Sequence, residues 1–462
     1  MSAVRPSIVA RAWWLLPRNV AAIYGMIGRL WMIMTGPVTI LFLAIYFTPG
    51  AQGYFVTFIT LAAARTVAEL GLGQVIVVKV AQLHRQDGGQ DFAVSPEVAG
   101  LVQFTAKWFA WAGLLVGVGL SLIGMALFSA RSELPLGQLL PPWIALSALV
   151  GIDVALSGLL YPLEGAGQVT SVYFCRMARS FVNTLVLWLL ILLGFELWSI
   201  SIGLAASLLW VTYFLYSKGK LVLTALRRNA HVARVEWLAE VFPAQWRIAL
   251  SSTAEYVGFF TIVPLMYVMH GAIVAGQVGV TWQLTLTVSS IAGALVFARL
   301  PEFSRLAKTG SVRELDNLFL STSLISMAVC LVGATGVAVG VLVLEKIGPQ
   351  IASRLLPFDE VVIALIGVLI WHFNLTIVAY LRAHGGDPYL PASLTGATLL
   401  FVANVTLGQW FGPTGILWGY VLTGICVMVP LSVYLLQRKR RACGYPPFRV
   451  EFGWRPRMSR SG

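Results

Sequence analysis

The sequence predicts an all-α polytopic membrane protein with about twelve transmembrane helices. The mean hydropathy of the 462 residues is +0.82. Only 11% of residues are charged and 58% are hydrophobic, whereas roughly a quarter of the residues in a soluble domain are charged. Many apolar stretches reach the roughly 20 residues that a spanning helix needs. A soluble globular fold is therefore excluded.

Each predicted helix is an apolar stretch of spanning length. The many internal Gly and Pro residues are typical of transmembrane helices, whose neighbours satisfy the freed backbone groups. The basic start of the chain precedes an apolar run too long for a signal peptide, so we predict a retained first helix. The stretches are 20–47, 52–80, 100–129, 142–161, 169–193, 197–216, 246–269, 274–298, 318–344, 359–381, 389–410 and 413–436.

The basic residues predict the orientation. With the N-terminus in the cytoplasm, 24 of the 32 Lys and Arg residues fall in cytoplasmic segments, and only Arg131, Lys346 and Arg354 fall on the other side. The positive-inside rule therefore places both termini in the cytoplasm. The net charge of +13 reflects this bias, and no soluble domain is present to bind nucleic acid. The tail segment RKRR, 438–441, is expected to contact anionic membrane lipids.

The chain divides into two halves. The widest cytoplasmic loop separates six predicted helices from six, and weak similarity recurs at nearly constant offsets, with Gly53 aligned to Gly276. A six-helix repeat that starts and ends on one side is parallel, and such transporters bind substrate between their halves. The predicted units are 1–216 (N-terminal bundle), 217–245 (cytoplasmic linker), 246–437 (C-terminal bundle) and 438–462 (basic tail).

Five basic residues remain inside predicted helices after the loops are removed. Each costs about 2.5–3.5 kcal/mol at a helix centre unless it faces protein or water, so they predict a polar interior. Since guanidinium groups bind phosphate oxygens as a fork, they are candidate diphosphate-binding groups. The five are Arg29, Arg65, Lys107, Arg176 and Arg179, and all lie in the first half.

Acidic residues inside the helices are candidate coupling groups or counter-ions. Arg65 and Glu69 are four residues apart, so they can pair along one helix face. Alternatively, Arg65 contacts the substrate, and Glu69 holds the Arg65 side chain in place between transport cycles or takes up a proton. Arg176 and Arg179 share a face and either bind one diphosphate together or extend to the lipid headgroups. The acidic candidates are Glu69, Asp153 and Glu255, which leave the interior net positive.

Three stretches resemble a known family. They are AQGYFVTFITLAAARTVAELGLGQVIV (51–77), QWRIALS (245–251) and AIVAGQVGVTW (272–282), and they are similar to O-antigen-type oligosaccharide-lipid flippases of the multidrug/oligosaccharidyl-lipid/polysaccharide exporter (MOP) superfamily. Glu255 departs from the uncharged segment expected there.

The resemblance implies two six-helix bundles around a central cavity in a bacterial inner membrane. It further implies alternating-access transfer of an undecaprenyl-diphosphate-linked glycan from the cytoplasmic to the periplasmic leaflet, for cell-surface polysaccharide biosynthesis. Polysaccharide-assembly proteins are further candidate partners. We expect no cofactor and no metal, because the four cysteines show neither metal-binding nor redox spacing.

Two other functions are considered. A drug or metabolite exporter of the same superfamily would favour cationic substrates and an acidic cavity, whereas this interior is predicted to be basic. A membrane glycan polymerase or glycosyltransferase would need a large outer loop or a nucleotide-binding motif, and the sequence shows neither. We therefore expect a transporter and not an enzyme.

Overall fold

A computed structural model describes residues 20–69, 71–86, 95–228, 237, 241–384 and 389–445. The described elements are α1 Val20–Tyr46, α2 Pro49–Ala62, α3 Arg65–Ala68, α4 Leu72–Gln86, α5 Pro96–Ala130, α6 Leu136–Gly158, α7 Leu160–Gly165, α8 Val169–Leu192, α9 Trp198–Lys218, α10 Lys220–Arg227, α11 Phe242–Glu255, α12 Ile262–His270, α13 Ala272–Thr309, α14 Val312–Ile347, α15 Pro349–Ala352, α16 Phe358–Ala383, α17 Leu390–Leu422 and α18 Val429–Ala442. Short π-helical stretches, Tyr256–Phe260 and Thr423–Met428, join α11 to α12 and α17 to α18.

The number of membrane crossings matches the number predicted from the sequence. Among the described residues, eleven helical segments are long and apolar enough to cross a membrane, and the last of them runs over Leu390–Ala442. This segment reverses at Gly412, whose backbone (φ 62°, ψ −142°) is left-handed. Gly419 consequently lies against Ala403, from which a straight helix would separate it by about 24 Å. The segment thus crosses twice, and the prediction of an all-α protein with about twelve spans is confirmed.

The helices form two bundles that follow the two halves of the chain. In the first, α8 packs on α1 and α9, and α6 packs on α5 and α9. In the second, α16 contacts α13, α14, α17 and α18. The predicted linker begins with α10, which packs on α5 of the first bundle and buries Leu221, Val222 and Ala225. The rest of that linker lies largely outside the described residues.

The second predicted span is not one continuous helix. Helix α2 ends at Ala62, a turn follows, and Arg65 begins the short helix α3. Helix α4 starts after Gly71, which has a positive φ of 68°, a conformation that glycine adopts at little cost. Arg65 and Glu69 therefore lie at the two ends of a short helix between two breaks, near the middle of the spanning segment Pro49–Leu83.

The two bundles meet most closely where α2 crosses α13. A methyl group on Gly53 would overlap the carbonyl oxygen of Ala272, and one on Gly276 would come within 3.0 Å of the Gly53 Cα atom. The two glycines aligned by the sequence repeat are thus in contact. Absence of side chains allows the two backbones to approach at this point.

Arginines reinforce this contact from both sides. Arg131, after α5, donates from Nη1 to the carbonyl oxygens of Val268 and Met269, at 2.7 and 2.8 Å. In the opposite direction, Arg354 donates from Nη2 to the carbonyl oxygen of Phe47 at 2.6 Å. Each guanidinium satisfies carbonyls at or just beyond a helix C-terminus, where partners are lacking and a cation is favourable. The bundles are therefore sealed at the end predicted to be extracytoplasmic.

Candidate functional site

A cavity of about 1120 Å³ lies against the first bundle. Its wall comes from α1 to α4 and α6 to α9, while the second bundle contributes Ser252 of α11. Its inner end abuts the core cluster that seals the two bundles, which contains Leu146 and Leu187 together with Tyr54 and Tyr267. Five predicted site residues line the cavity: Arg65, Glu69, Asp153, Arg176 and Arg179.

Asp153 joins two of the arginines. Its side chain on α6 is only 2% exposed, and one carboxylate oxygen accepts a hydrogen bond from Nη1 of Arg65. The other oxygen lies 2.6 Å from Nη2 of Arg179 on α8 and accepts from Ser157 Oγ at 3.2 Å. Arg179 also donates from Nη1 to Ser157 Oγ at 3.2 Å. One buried carboxylate thus fixes two guanidinium groups that come from different helices.

A second cluster surrounds Tyr161 on α7. The Tyr161 hydroxyl donates to Oε2 of Glu69 at 2.8 Å, and the Arg176 guanidinium lies 5.6 Å from the ring centroids of both Tyr161 and Tyr173. Arg176 also pairs with Glu164, Nη2 to Oε2, at 2.9 Å. Cation–π contact and an ion pair together orient Arg176.

Arg65 and Glu69 do not form the ion pair along one helix face that the sequence allows. Arg65 pairs with Asp153 and Glu69 accepts from Tyr161, so the two residues of the α2–α4 break have separate partners on other helices. The break explains this, because Arg65 and Glu69 are the first residue and the C-cap of the short α3.

The charges in the cavity wall balance, contrary to the net positive interior expected from the sequence. In the described wall, Arg65, Arg176 and Arg179 face Glu69, Asp153 and Glu164. The two signs are nevertheless not equally accessible. The Arg65 and Arg176 side chains are 44% and 37% exposed, whereas those of Asp153 and Glu164 are 2% and 16% exposed. These guanidinium groups are therefore open to the cavity while the paired carboxylates lie behind them.

Comparison with solved structures identifies this architecture. An inward-facing multidrug resistance MATE family transporter of the MOP superfamily matches with TM-score 0.65 and 12% identity, over 93% of this chain and 97% of the other. Lipid II flippase MurJ, in an inward closed conformation, matches with TM-score 0.63 and 12% identity, over 91% and 87%. A MOP superfamily transporter from Pyrococcus furiosus gives 0.59 and 14%, over 92% and 96%.

The chain has the fold of MOP superfamily transporters. No family model matches it, and no curated protein matches it. The TM-scores of 0.59–0.65 show the shared fold, and identities of 12–14% leave the substrate to be argued from the cavity.

Three predicted site residues lie outside the cavity wall. Arg29 is exposed on α1, seven residues before Gly36 and hence on nearly the same helix face. Gly36 faces Gln283 and Thr287 of α13. Arg29 therefore lies toward the second bundle, and its role in substrate binding stays a prediction.

Lys107 and Glu255 are both exposed. Lys107 is one turn after Gln103, whose side-chain amide donates to the carbonyl oxygens of Ala225 and Arg228 at 2.9 Å, so Lys107 lies on the side of α5 that contacts α10. Glu255 ends α11, three residues after the wall residue Ser252. Of the predicted coupling residues, Glu69 and Asp153 lie in the wall and Glu255 lies close to it along the chain.

The supporting residues of the site are not among the candidates that the sequence predicts. They are Ser157, Tyr161, Glu164 and Tyr173. A useful signal was available: Tyr161 and Glu164 are three residues apart around a helix end and so lie close to one another.

Proposed function

We propose that this protein is a flippase that moves an undecaprenyl-diphosphate-linked oligosaccharide from the cytoplasmic to the periplasmic leaflet. The transport would proceed by alternating access, as part of bacterial cell-surface polysaccharide biosynthesis. The observation that carries the proposal is the group of three arginines, Arg65, Arg176 and Arg179, in the wall of one cavity, with paired carboxylates behind them.

A diphosphate suits this arrangement for two reasons. Each guanidinium carries five N–H donors in a planar fork, and the contacts with Asp153 and Glu164 occupy only part of them. The donors left over can bind phosphate oxygens in a charge-assisted and often bidentate manner. Since the three groups approach from α3 and α8, a diphosphate between them would be held from more than one direction.

The conformation also supports transport from the cytoplasmic side. The contacts of Gly53 with Ala272, of Arg131 with α12 and of Arg354 with Phe47 close the end predicted to be extracytoplasmic. Substrate would then reach the arginines from the opposite end. In alternating access the seal opens and the cytoplasmic side closes, so that the site faces the other leaflet.

A cation exporter of the same fold is the second candidate. Glu69, Glu164 and the rings of Tyr161 and Tyr173 could bind an organic cation. The balanced charge of the wall makes this alternative stronger than the sequence suggested. The burial of Asp153 and the exposure of Arg65 favour an anionic substrate.

Reconstituted proteoliposomes distinguish the two functions. We expect the protein to translocate a fluorescent undecaprenyl-diphosphate sugar, and the combined Arg65→Ala, Arg176→Ala and Arg179→Ala variant to be inactive at equal reconstitution. Lysine in place of these arginines should restore little of the translocation, since an ammonium group cannot bind a phosphate bidentately. The control variant is Arg299→Ala, which removes an exposed cation whose Glu302 partner is 42% exposed.

The outcome that rejects the proposal is equally specific. If the triple variant translocates the diphosphate lipid at the wild-type rate, the cavity arginines do not recognise it. Uptake or efflux of a lipophilic cationic dye by the wild-type protein, with no translocation of the diphosphate lipid, would establish the exporter instead.

A further inference from the structure

The side chains of the cavity wall change in chemical character with depth. This change can determine which sugar is accepted next to the diphosphate. The wall residues of α8 recur every three or four residues, singly or as adjacent pairs, and share one face. Along this face the side chains change from charged, through neutral and polar, to apolar: Arg176, Arg179, Ser180, Asn183, Thr184 and Leu187. Asn183 lies about 6 Å beyond Arg179 along the helix axis.

The walls formed by the neighbouring helices also become apolar in the same direction. On α6, Val150 and Leu146 follow one and two turns beyond Asp153, and all three line the cavity. On α9, a methyl group on Gly203 would lie 3.2 Å from the carbonyl oxygen of Asn183. Because α8 and α9 are consecutive spans that run in opposite directions, this contact places Leu204 at the level of Asn183, Ile200 about one turn deeper and Ser207 about one turn nearer Arg179.

Three layers can therefore be defined. The charged layer contains Arg65, Glu69, Asp153, Glu164, Arg176 and Arg179. The neutral layer contains the uncharged residues near the level of Asn183, namely Val150, Ser180, Asn183, Thr184 and Leu204. The apolar floor contains Leu146, Leu187 and Ile200. In the described wall, every charged residue belongs to the charged layer.

The neutral layer has unused hydrogen-bonding capacity. Within the described part of the chain, the side chains of Ser180 and Asn183 have no hydrogen-bond partner, although both face the cavity. An asparagine amide offers two donors and an acceptor, and a serine hydroxyl offers one donor and acceptor lone pairs. Hydroxyl and acetamido groups of a sugar could satisfy them.

A carboxylate in this layer would be poorly accommodated. It would lose hydration beside the apolar side chains Val150 and Leu204, and the nearest cation of α8, Arg179, lies about one turn from Asn183 and is already paired with Asp153. A buried ion without a partner is far more costly than a buried polar group that is hydrogen-bonded. The same layer thus favours an uncharged sugar and disfavours a uronic acid.

We infer that the neutral layer, centred on Asn183, selects substrates in which an uncharged, hydroxyl- and amide-bearing sugar adjoins the diphosphate. The inference rests on the proposed function, because the charged layer is taken to hold the diphosphate. Asn183 would then be a specificity-determining residue that acts on the sugar and not on the anion.

Binding of three probes to the purified full-length protein tests the inference. They are undecaprenyl diphosphate, the same lipid bearing one N-acetylhexosamine, and the same lipid bearing one hexuronic acid. We expect the N-acetylhexosamine lipid to bind about tenfold more tightly than the sugar-free lipid, as one or two net hydrogen bonds allow. The hexuronic acid lipid should bind no more tightly than the sugar-free lipid.

Two substitutions of Asn183 distinguish recognition of the sugar from recognition of the diphosphate. Asn183→Leu should reduce the gain from the neutral sugar to within about twofold and leave undecaprenyl diphosphate binding unchanged. Asn183→Arg should improve binding of the hexuronic acid lipid relative to the neutral one. Asn317→Leu, at an exposed position on α14, is the matched control and should change neither.

The possible outcomes distinguish a failure of the proposed function from a failure of the inference about Asn183. If undecaprenyl diphosphate itself does not bind, the proposed function and the layer inference both fail. If it binds but the acidic and neutral lipids bind equally, or Asn183→Leu weakens all three probes alike, the inference about Asn183 is wrong while the diphosphate site stands.

Discussion

Gly53 of the first bundle lies directly against the carbonyl oxygen of Ala272 in the second. The contact is between backbones, so even a methyl group at position 53 cannot be accommodated without moving one bundle. In a transporter that alternates between two conformations, a residue tolerated only in one of them changes the population of both.

Gly53→Ala should therefore open the predicted extracytoplasmic end. Overpacking of about 1–3 kcal/mol in the closed form corresponds to a ratio of open to closed form that is about 5- to 150-fold higher. A single cysteine at Ser180 in the cavity, in a cysteine-free background, would report this as faster labelling by an impermeant reagent added outside. Gly50→Ala is the matched control, since a methyl group there meets nothing within 4 Å. Equal labelling in the two variants would contradict the prediction.

The orientation can be tested with cysteines outside the spans. Cys443 is exposed after α18, and Ser353 is exposed in the segment between α15 and α16. With Cys443 as the single thiol, we expect labelling only from the cytoplasmic side, whereas Ser353→Cys in a cysteine-free protein should label from outside. Labelling of Cys443 in intact cells by an impermeant reagent would reverse the assigned topology.

Asp153→Ala should destabilise the protein, because it leaves Arg65 and Arg179 without their shared counter-ion. Loss of hydrogen bonds to charged groups predicts a decrease of about 1.5–3 kcal/mol in the free energy of unfolding, measured in detergent. Asp153→Asn should cost less. Glu302→Ala removes an exposed ion pair with Arg299 and should cost under about 1 kcal/mol. Equal losses for Asp153→Ala and Glu302→Ala would show that the site is not held by its carboxylate.

Arg440→Ala should also destabilise, although Arg440 belongs to the basic tail segment predicted to contact lipid. Its side chain is 4% exposed, pairs with both carboxylate oxygens of Asp316, and donates to the Tyr380 hydroxyl at 2.9 Å. Arg440→Lys should not rescue, because lysine cannot form the planar double contact. Arg441→Ala, at an exposed neighbouring position, should leave the melting temperature unchanged. A larger loss in Arg441→Ala than in Arg440→Ala would refute this role.

Glu69 and Glu255 provide the test of ion coupling. Glutamine at position 69 can still accept the hydrogen bond from Tyr161 but cannot change its charge. If either glutamate couples transport to protons or sodium, Glu→Gln should stop translocation of the diphosphate lipid while binding is retained. Tyr161→Phe removes the hydrogen bond but leaves Glu69 able to titrate. If translocation falls as much in Tyr161→Phe as in Glu69→Gln, the loss comes from the hydrogen bond and not from titration. Wild-type rates in both glutamine variants would make these glutamates structural.

Much of the fold is predictable because its determinants are local. A spanning helix satisfies its own backbone hydrogen bonds and needs only enough apolar residues in sequence, so the twelve spans follow from hydropathy. The alignment of Gly53 with Gly276 also anticipated where the bundles meet, since residues related by a repeat can lie on its axis.

The cavity chemistry was only partly predictable. Sequence reasoning selected Arg65, Arg176, Arg179, Glu69 and Asp153, which all line the cavity, because charged residues in an apolar helix need a polar environment. It did not pair them correctly. It also overestimated the net positive charge of the cavity, because Arg29 and Lys107 lie outside the wall and Glu164 lies in it. The break between α2 and α3 has no strong signal in the run of alanines at 62–64.

The sequence by itself determined the all-α membrane fold, the approximate number of spans and which charged residues lie within them. Each of these depends on local composition or spacing. Only the tertiary structure decided that Asp153 binds Arg65 and Arg179, that Arg440 is buried, and that a neutral layer follows the charged one. Those features depend on which faces of separate helices meet, and the pairing of side chains far apart in the chain is set by packing and backbone breaks that no local pattern encodes.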